Sequence, residues 1–564
     1  MPPENLLAKT LQVLRARRFS AAYSKNKSCR AFEGNLCCSK GEIRIRIEIS
    51  DWDFRRYPTI ILLNRPEFLP KIMAHVDAHD ALCYYSPGTV ILDRYDPAAS
   101  VEQCLDQAQA VLEQTATNPH YSANDLQNEF ESHWAFGQHP TPEVVLVGNV
   151  NAKQSTAEYF LFDLKTESYA AILQNQAEAA QLANTLGAPV PPNTRCKCWL
   201  LETENMPAVP HEKMPETVKE VFDWLADWDR KLYNGVQRVL EKEKVYLTYD
   251  LVTFAIKSPI GWIGFGFNLD QMTRLGYKEK PARYKQYLHG KGGAGKIFRL
   301  SFIDISPSFI HNRNLSFRDL SGKRIALVGC GAIGGYLAQA LVRLGAGTGR
   351  NGKLVLFDND RIGSENLGRH YLGLNALFKP KAQALCDELR RQFPYADIEA
   401  RIADAMPTKS LFSNDLIIDA TGEESVSEML NGHHNLDRAK SPPVLYVWIK
   451  GNGECVQSLW VDAEKHGCFR CLRSAHVTNY RDERFKVLDK PPKREFLGCR
   501  SFTPYAVSSP MQAAALAIDT ISDWLVDGDP SPRFRTRYVE NHDAKKVKNQ
   551  NITPAEGCPA CQAP

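Results

Sequence analysis

The chain has 564 residues, 43% of them apolar, and its 69 basic and 65 acidic side chains leave a formal net charge of +4. Charge so evenly mixed carries no footprint for nucleic acid or an anionic membrane surface, and the longest apolar run, near 260–267, is too short to cross a bilayer. Length predicts about three domains. The 15 cysteines do not form a secreted framework in so long a chain, and residues 1–20 are basic without the apolar stretch of a signal peptide, which together predict a cytoplasmic protein.

Residues 43–49 and 59–63 are short alternating or apolar runs and predict adjacent strands. Beyond them stand His75 and Cys83, eight positions apart. Asp96-Pro97 then opens an amphipathic helix pattern through 101–112. Strands, a loop with His and Cys at that interval and a proline-marked helix resemble the ubiquitin-conjugating fold, over roughly residues 20–145. In that family the same interval separates the histidine of His-Pro-Asn from the active cysteine, so the resemblance makes Cys83 an acyl-carrying nucleophile. The tripeptide here reads His75-Val76-Asp77. The asparagine that polarises the thioester carbonyl is missing, and His79 or Asp80 is the candidate for its task. Alone, a cysteine between Leu82 and Tyr84 reads better as a core residue; an activating half downstream gives it the functional reading.

The middle, 146–315, is expected to be an α+β linker domain that spaces and docks the active domains and offers a place to bind a protein substrate. Residues 144–147 and 159–163 predict strands, 189–192 a loop, and 218–240 carries helical periodicity with Phe222, Leu225, Leu232, Val236 and Leu240 on one side. The glycine-rich stretch from His289 to Lys296 lacks the Ser/Thr that a phosphate loop places after its lysine, since Ile297 stands there. It is expected to be a flexible loop.

The C-terminal part, 316–564, carries the chemistry. An apolar run over 325–328 leads into Gly329, Gly331 and Gly334 and then a helix-like stretch, the order of a nucleotide-binding βαβ unit. A second strand over 353–357 ends in Asp358-Asn359-Asp360, where an acid can take ribose hydroxyls. A dehydrogenase would need no more. Here Asn366, Arg369 and Lys381 follow, and such cations suit a site that splits ATP and gathers charge on pyrophosphate. This ordered set resembles the ThiF/MoeB adenylyltransferases, which include the ubiquitin-activating enzymes. The resemblance implies a Rossmann-like adenylation domain in an α/β chain, with Asp358 and Asp360 at the ribose end and Asn366, Arg369 and Lys381 on the phosphates. The family's next strand ends in Asp-x-Thr-Asp; this chain reads Asp419-Ala420-Thr421-Gly422-Glu423, so Asp419 or Glu423 is expected to serve Mg2+ in place of the acid missing at Gly422.

Cys468, Cys471, Cys558 and Cys561 form two Cys-x-x-Cys pairs, each able to offer two thiolates to one tetrahedral Zn2+. The same tetrathiolate occurs in the ThiF/MoeB family, which implies a structural zinc. Cys499, between Gly498 and Arg500, falls where activating enzymes place the cysteine that takes the acyl group from the adenylate, and the adjacent guanidinium favours its thiolate. Both halves on one chain resemble the fused enzymes of bacterial CBASS antiphage operons. That resemblance implies ATP-dependent activation of a protein C-terminus, transfer from Cys499 to Cys83, and ligation to an amine-bearing target. The activated protein is expected to be a cGAS/DncV-like nucleotidyltransferase or a ubiquitin-like protein. A homodimer is expected, with Arg313 or Arg318 reaching a partner's nucleotide. Two other readings stay open at this stage: a sulfur-carrier activating enzyme, and an inactive scaffold that binds nucleotide and a ubiquitin-like protein.

Overall fold

Ile43, Ile45, Ile47 and Ile49 alternate along one strand and each is fully buried, the period-two pattern of a sheet with one covered face. Burying each contributes about 1.5–3 kcal/mol. Their strand, Gly41–Ile49, pairs antiparallel with Arg30–Cys38 on one side and Thr59–Leu62 on the other, and Ser20–Ala22 completes a four-stranded meander. Helices Glu4–Ala16 and Pro97–Thr117 bring Leu14, Val101, Leu105 and Leu112 into the same core. The second begins where the sequence predicts: Pro97 lacks the N–H that a first turn leaves unpaired, and Asp96 accepts from Ala99 N–H at 3.2 Å.

The computed structural model describes residues 4–24, 28–77, 79–118, 120–121, 123–135, 144–151, 155–164, 168–192, 197–242, 251–277, 280–463, 466–473, 482–497, 500–539 and 544–561. The chain divides into two units, Met1–Ile305 and Ser306–Pro564. In the first, the strands after the meander close into a seven-stranded barrel in the order Gly261–Asn268, Ile297–Asp304, Val144–Val147, Ser168–Leu173, Thr156–Asp163, Lys197–Glu202, Leu251–Ser258. Closure removes the sheet edges. Trp134 donates from its indole to Gly264 O at 2.9 Å and stacks on Trp224 at 4.7 Å, pinning the helix Phe130–Ala135 to the barrel side.

Two expectations change here. The periodic stretch 218–240 is two helices, Val218–Trp228 and Arg230–Lys242, broken at Asp229. Asp229 accepts from Thr203 Oγ1 at 2.6 Å, Asn205 Nδ2 at 3.1 Å and Lys231 N–H at 2.7 Å, so its carboxylate ends one helix and caps the next. The glycine-rich stretch is not a flexible loop. Lys291–Ala294 is a 3₁₀ turn tied down on both sides, with Val218 N–H donating to Gly295 O and Ile297 N–H to Glu216 O, each at 2.9 Å.

The second unit begins at Ser306, ahead of the expected 316, because the helix Pro307–Asn312 is part of it. His311 is buried there and faces Arg343 O at 2.9 Å and Tyr395 Oη at 3.0 Å. Its seven-stranded sheet runs Ile398–Arg401, Lys353–Phe357, Arg324–Val328, Leu416–Asp419, Val444–Lys450, Cys455–Val461, Phe534–Tyr538. The first five strands are parallel, and Cys455–Val461 runs antiparallel to both of its neighbours. Helices Ala332–Arg343, Lys381–Gln392 and Ser508–Asp527 pack their apolar sides into one core with this sheet. Among the described residues no helix is long and apolar enough to cross a membrane.

Candidate adenylation and thiol sites

Strands Arg324–Val328 and Leu416–Asp419 lie side by side at the centre of the parallel sheet. The chain leaves the first toward one edge and the second toward the other, which opens a crevice at their carboxyl ends. A cavity of about 730 Å³ sits there. Its floor is the glycine turn. Gly329 has φ +88°, and Cys330 N–H donates to Asp358 Oδ2 at 2.7 Å. His370, 6% exposed, holds the turn from below: Leu372 N–H donates to its Nδ1 at 3.0 Å, so its Nε2 carries the hydrogen and donates to Cys330 O at 2.8 Å. Burial keeps this imidazole below its ordinary pKa and therefore neutral.

Two of the turn glycines are needed for opposite reasons. A Cβ at Gly334 would lie 1.8 Å from Gly329 O, whereas one at Gly331 would meet nothing within 4 Å and would stand in the cavity. Gly334→Ala is therefore expected to lower stability by about 3 kcal/mol. Gly331→Ala should fold normally yet bind ATP about 10-fold more weakly. Urea unfolding and nucleotide titration separate the two.

Asp358, Asp360, Asn366, Arg369 and Lys381 all line this cavity. Asp358 is half-buried, and its desolvation raises its carboxyl pKa; its oxygens are oriented by Cys330 N–H and by Asp360 N–H at 2.8 Å. Lys381, 9% exposed at the start of its helix, places Nζ 2.8 Å from Asp360 Oδ2. Asn366 accepts from Gly363 N–H at 2.9 Å, and the Arg369 guanidinium lies 4.9 Å from the centre of the Tyr505 ring.

Asp419 is placed differently from expectation. It is 1% exposed and does not line the cavity. Its carboxylate accepts from Thr421 N–H at 3.0 Å, Thr421 Oγ1 at 2.6 Å and Ser427 Oγ at 2.5 Å, so it braces the turn instead of facing a ligand. Glu423 does line the cavity, as does Asp404, which accepts from Asn359 Nδ2 at 2.6 Å. Neither Arg313 nor Arg318 is among the lining residues of this chain's own cavity. The sequence gives Asp404, His370 and Tyr505 no role: Asp404 follows no strand-end pattern, and the hold of His370 on the glycine turn is a contact 40 positions away in the chain.

Beside this cavity lies a groove of about 280 Å³, with Gly422 and Ile449 lining both. Trp448, Phe469, Leu472 and Phe485 make it apolar, and Lys450, Arg473 and Glu483 give it charge.

The four cysteines of the paired motifs meet, with their Sγ atoms all within 4.8 Å of one another. Individual separations are 3.8 Å for Cys468–Cys471 and Cys468–Cys558, 3.5 Å for Cys471–Cys561 and 3.4 Å for Cys468–Cys561. A tetrahedron with Zn–S of about 2.3 Å has S···S near ~3.8 Å, so the thiols fit that ion. Asn431 Nδ2 and Ala555 N–H donate to Cys468 and Cys471 at 3.5 and 3.2 Å, the outer contacts that orient thiolate ligands.

In the first unit Cys83 is exposed. Val76 bridges Leu82 and Cys83 N–H donates to His75 O at 2.7 Å, so the eight-residue interval is a hairpin that sets positions 75 and 83 opposite each other. Asp77 holds the link by accepting from His79 N–H at 2.8 Å and Ala81 N–H at 2.9 Å. Asp80 is paired with Arg65 at 2.6 Å. Partial burial, then the carboxylates of Glu129 and Asp77, push the Cys83 thiol above its ordinary pKa. Cys499 lies outside the described residues. Of its surroundings, Leu497 pairs with Arg500, and Phe502, Thr503 and Tyr505 line the cavity at the glycine turn.

Comparison with known proteins agrees with this geometry. Residues 307–563 match the ThiF family and residues 5–139 match Prokaryotic E2 family B. Over 526 residues, 91% of each chain, the protein is 32% identical to the ATP-dependent ubiquitin transferase-like protein Cap2 of Pseudomonas aeruginosa (strain BWHPSA011 / Pa011). The chain belongs to the Cap2 family of ATP-dependent ubiquitin transferase-like proteins. It is also 24% identical to Cap2 of Escherichia coli (strain TW11681), across 96% of this chain and 94% of that one. Among solved structures, E. coli MccB with ATP is similar over 50% of this chain and 74% of that chain, at 17% identity and a TM-score of 0.33. As a family member the protein is an enzyme of ubiquitin-like activation and conjugation, with a ThiF adenylation domain and an E2-like domain fused in one polypeptide.

Proposed function

We propose that this protein adenylates the C-terminal carboxylate of a protein, carries the acyl group first on Cys499 and then on Cys83, and ligates it to an amine. The observation that carries the reading is the meeting of Asp358, the Lys381–Asp360 pair and Arg369 in one cavity at the carboxyl ends of parallel strands. Asp358 suits the ribose hydroxyls. Lys381 and Arg369 face the phosphates, where pyrophosphate gathers charge as it leaves. Asp360, Asp404 and Glu423 are the carboxylates that would hold Mg2+. Bound there, the ion would neutralise the phosphate oxygens. The adjoining apolar groove gives an extended C-terminal tail a path to the α-phosphate, and its charged rim suits a polypeptide backbone and side chains.

Cys468, Cys471, Cys558 and Cys561 hold a structural Zn2+, which would tie the last described residues to the adenylation sheet. The fused domains favour a cGAS/DncV-like nucleotidyltransferase as the activated protein and a lysine-bearing target as acceptor. Thioester exchange between two cysteines is nearly isoenergetic, so the work left to the protein is positioning and supply of thiolate. A homodimer supplying Arg313 or Arg318 across its interface belongs to the same reading.

Cys499→Ala is expected to leave carboxylate-dependent ATP–pyrophosphate exchange intact and to abolish every reductant-labile adduct, including that on Cys83. Loss of exchange and adduct together would contradict this division of labour.

A further inference from the structure

Glu129 stands 54 positions from His75 in sequence, yet its Oε2 accepts His75 N–H at 2.8 Å and its Oε1 lies 3.1 Å from His75 Nδ1. The residue sits between helices Ala123–Asn128 and Phe130–Ala135. Phe130 and Trp134, 0% and 1% exposed, fix the second helix, so the carboxylate is delivered from a rigid support. A carboxylate on Nδ1 keeps the hydrogen there and leaves Nε2 as the basic nitrogen. Nε2 is 3.3 Å from Asp125 Oδ2, a half-exposed carboxylate that also attracts a cationic amine. Tyr121 lies edge-on to the imidazole at 6.4 Å. From the hairpin Asp77 and Cys83 complete the charged surroundings, and His133 stands near Glu129. The Glu129 hydrogen bond is the largest influence raising His75 above its ordinary pKa, and Asp125 adds to it.

This hairpin needs such a group. The tripeptide lacks the asparagine of the conjugating enzymes, and the carboxylates around Cys83 make its sulfur a poor leaving group as a bare thiolate. We propose that His75, oriented by Glu129, is the general base for attack of an amine on the Cys83 thioester. The inference rests on Cys83 as the acyl carrier. In the step, the amine nitrogen bonds to the carbonyl carbon and the C–S bond breaks with its electron pair on Sγ. The proton shed by nitrogen passes to His75 Nε2 and from there to Sγ, which restores a neutral imidazole and the Cys83 thiol. Asp125 draws in the ammonium form of a lysine, which gives up one proton to solvent before its free amine attacks, and Glu129 acts through His75 as a positioning residue.

The test acylates the full-length chain with a short glycine-ended peptide mercaptoethanesulfonate thioester. Discharge of the Cys83 adduct by free L-lysine is then followed by peptide mass spectrometry. His75→Ala is expected to slow discharge about 100-fold, and added imidazole should restore it in proportion to its free base. Glu129→Gln should slow it about 10-fold and move the pH inflection of discharge lower, since the carboxylate that raises His75 is gone. A His75→Ala chain that discharges at the wild-type rate, or one that is slow and indifferent to imidazole, overturns the assignment and leaves Cys83 as carrier. Wild-type Cys83 that never accepts the peptide overturns the carrier role itself, and the base with it.

Discussion

Lys381→Met is expected to lower ATP–pyrophosphate exchange by about 100-fold or more while the protein stays folded. Lys381 is the cation most firmly built into the cavity. Its stem is buried at the first turn of the helix Lys381–Gln392, and its Nζ sits 2.8 Å from Asp360. Methionine keeps most of that buried volume. The carboxylate left behind is solvated, with the Asp360 side chain 68% exposed, so losing its partner disturbs the fold little. What disappears is a fixed positive charge where the leaving phosphates become more negative. Exchange measured with labelled pyrophosphate at saturating ATP reads this directly, and circular dichroism melting checks the fold. Unchanged exchange would remove Lys381 from the phosphate site.

Removing one of the four clustered cysteines proposed to hold zinc is expected to have the larger structural effect. Cys558→Ser is expected to abolish stoichiometric zinc by metal analysis and to lower stability by on the order of 4 kcal/mol, about a third of what structural zinc supplies in small domains. For a unit of this size that corresponds to a fall in Tm of about 10 °C. The buried sulfurs explain the size of the effect: Cys468, Cys471 and Cys558 belong to the same apolar cluster as Phe534, Tyr446 and Val461, so disorder at the cysteines exposes the edge of the sheet. Arg438 adds to the coupling, donating to the carbonyls of Asp462 and His466 just before the first ligand pair. A chain that retains its Tm after chelation would show that the four thiols pack without needing an ion.

The parts of this architecture that sequence made legible are those whose chemistry is local. Glycines at 329, 331 and 334 between a strand and a helix, an acid at the next strand end and paired cysteines all carry their geometry in short spacings. The interval from His75 to Cys83 was legible too, but as a loop; its antiparallel register appears only in the structure. Other features depended on partners far along the chain. Asp419 sits at a strand end as the family pattern requires, but Ser427 and Thr421 turn its carboxylate inward, and no spacing reveals that. Glu129 meets His75 because Phe130 and Trp134 anchor the helix that follows it. The break at Asp229 interrupts no hydrophobic period, since Trp228 and Leu232 stay buried on either side of it. The barrel was the least visible element. It closes by parallel pairing of Val144–Val147 with Ile297–Asp304, strands separated by about half of the unit, and periodicity within a strand says nothing of which strand lies beside it.

The central claim is that an activated carboxyl group passes between two sulfurs of this one polypeptide. The most direct measurement mixes the full-length protein, MgATP and a purified cGAS/DncV-like nucleotidyltransferase, quenches without reductant and maps both thiols by peptide mass spectrometry. The account predicts ATP-dependent, reductant-labile adducts on Cys499 and on Cys83, each joined to the C-terminus of the added protein. Free thiols at both positions, with ATP–pyrophosphate exchange running, would contradict it.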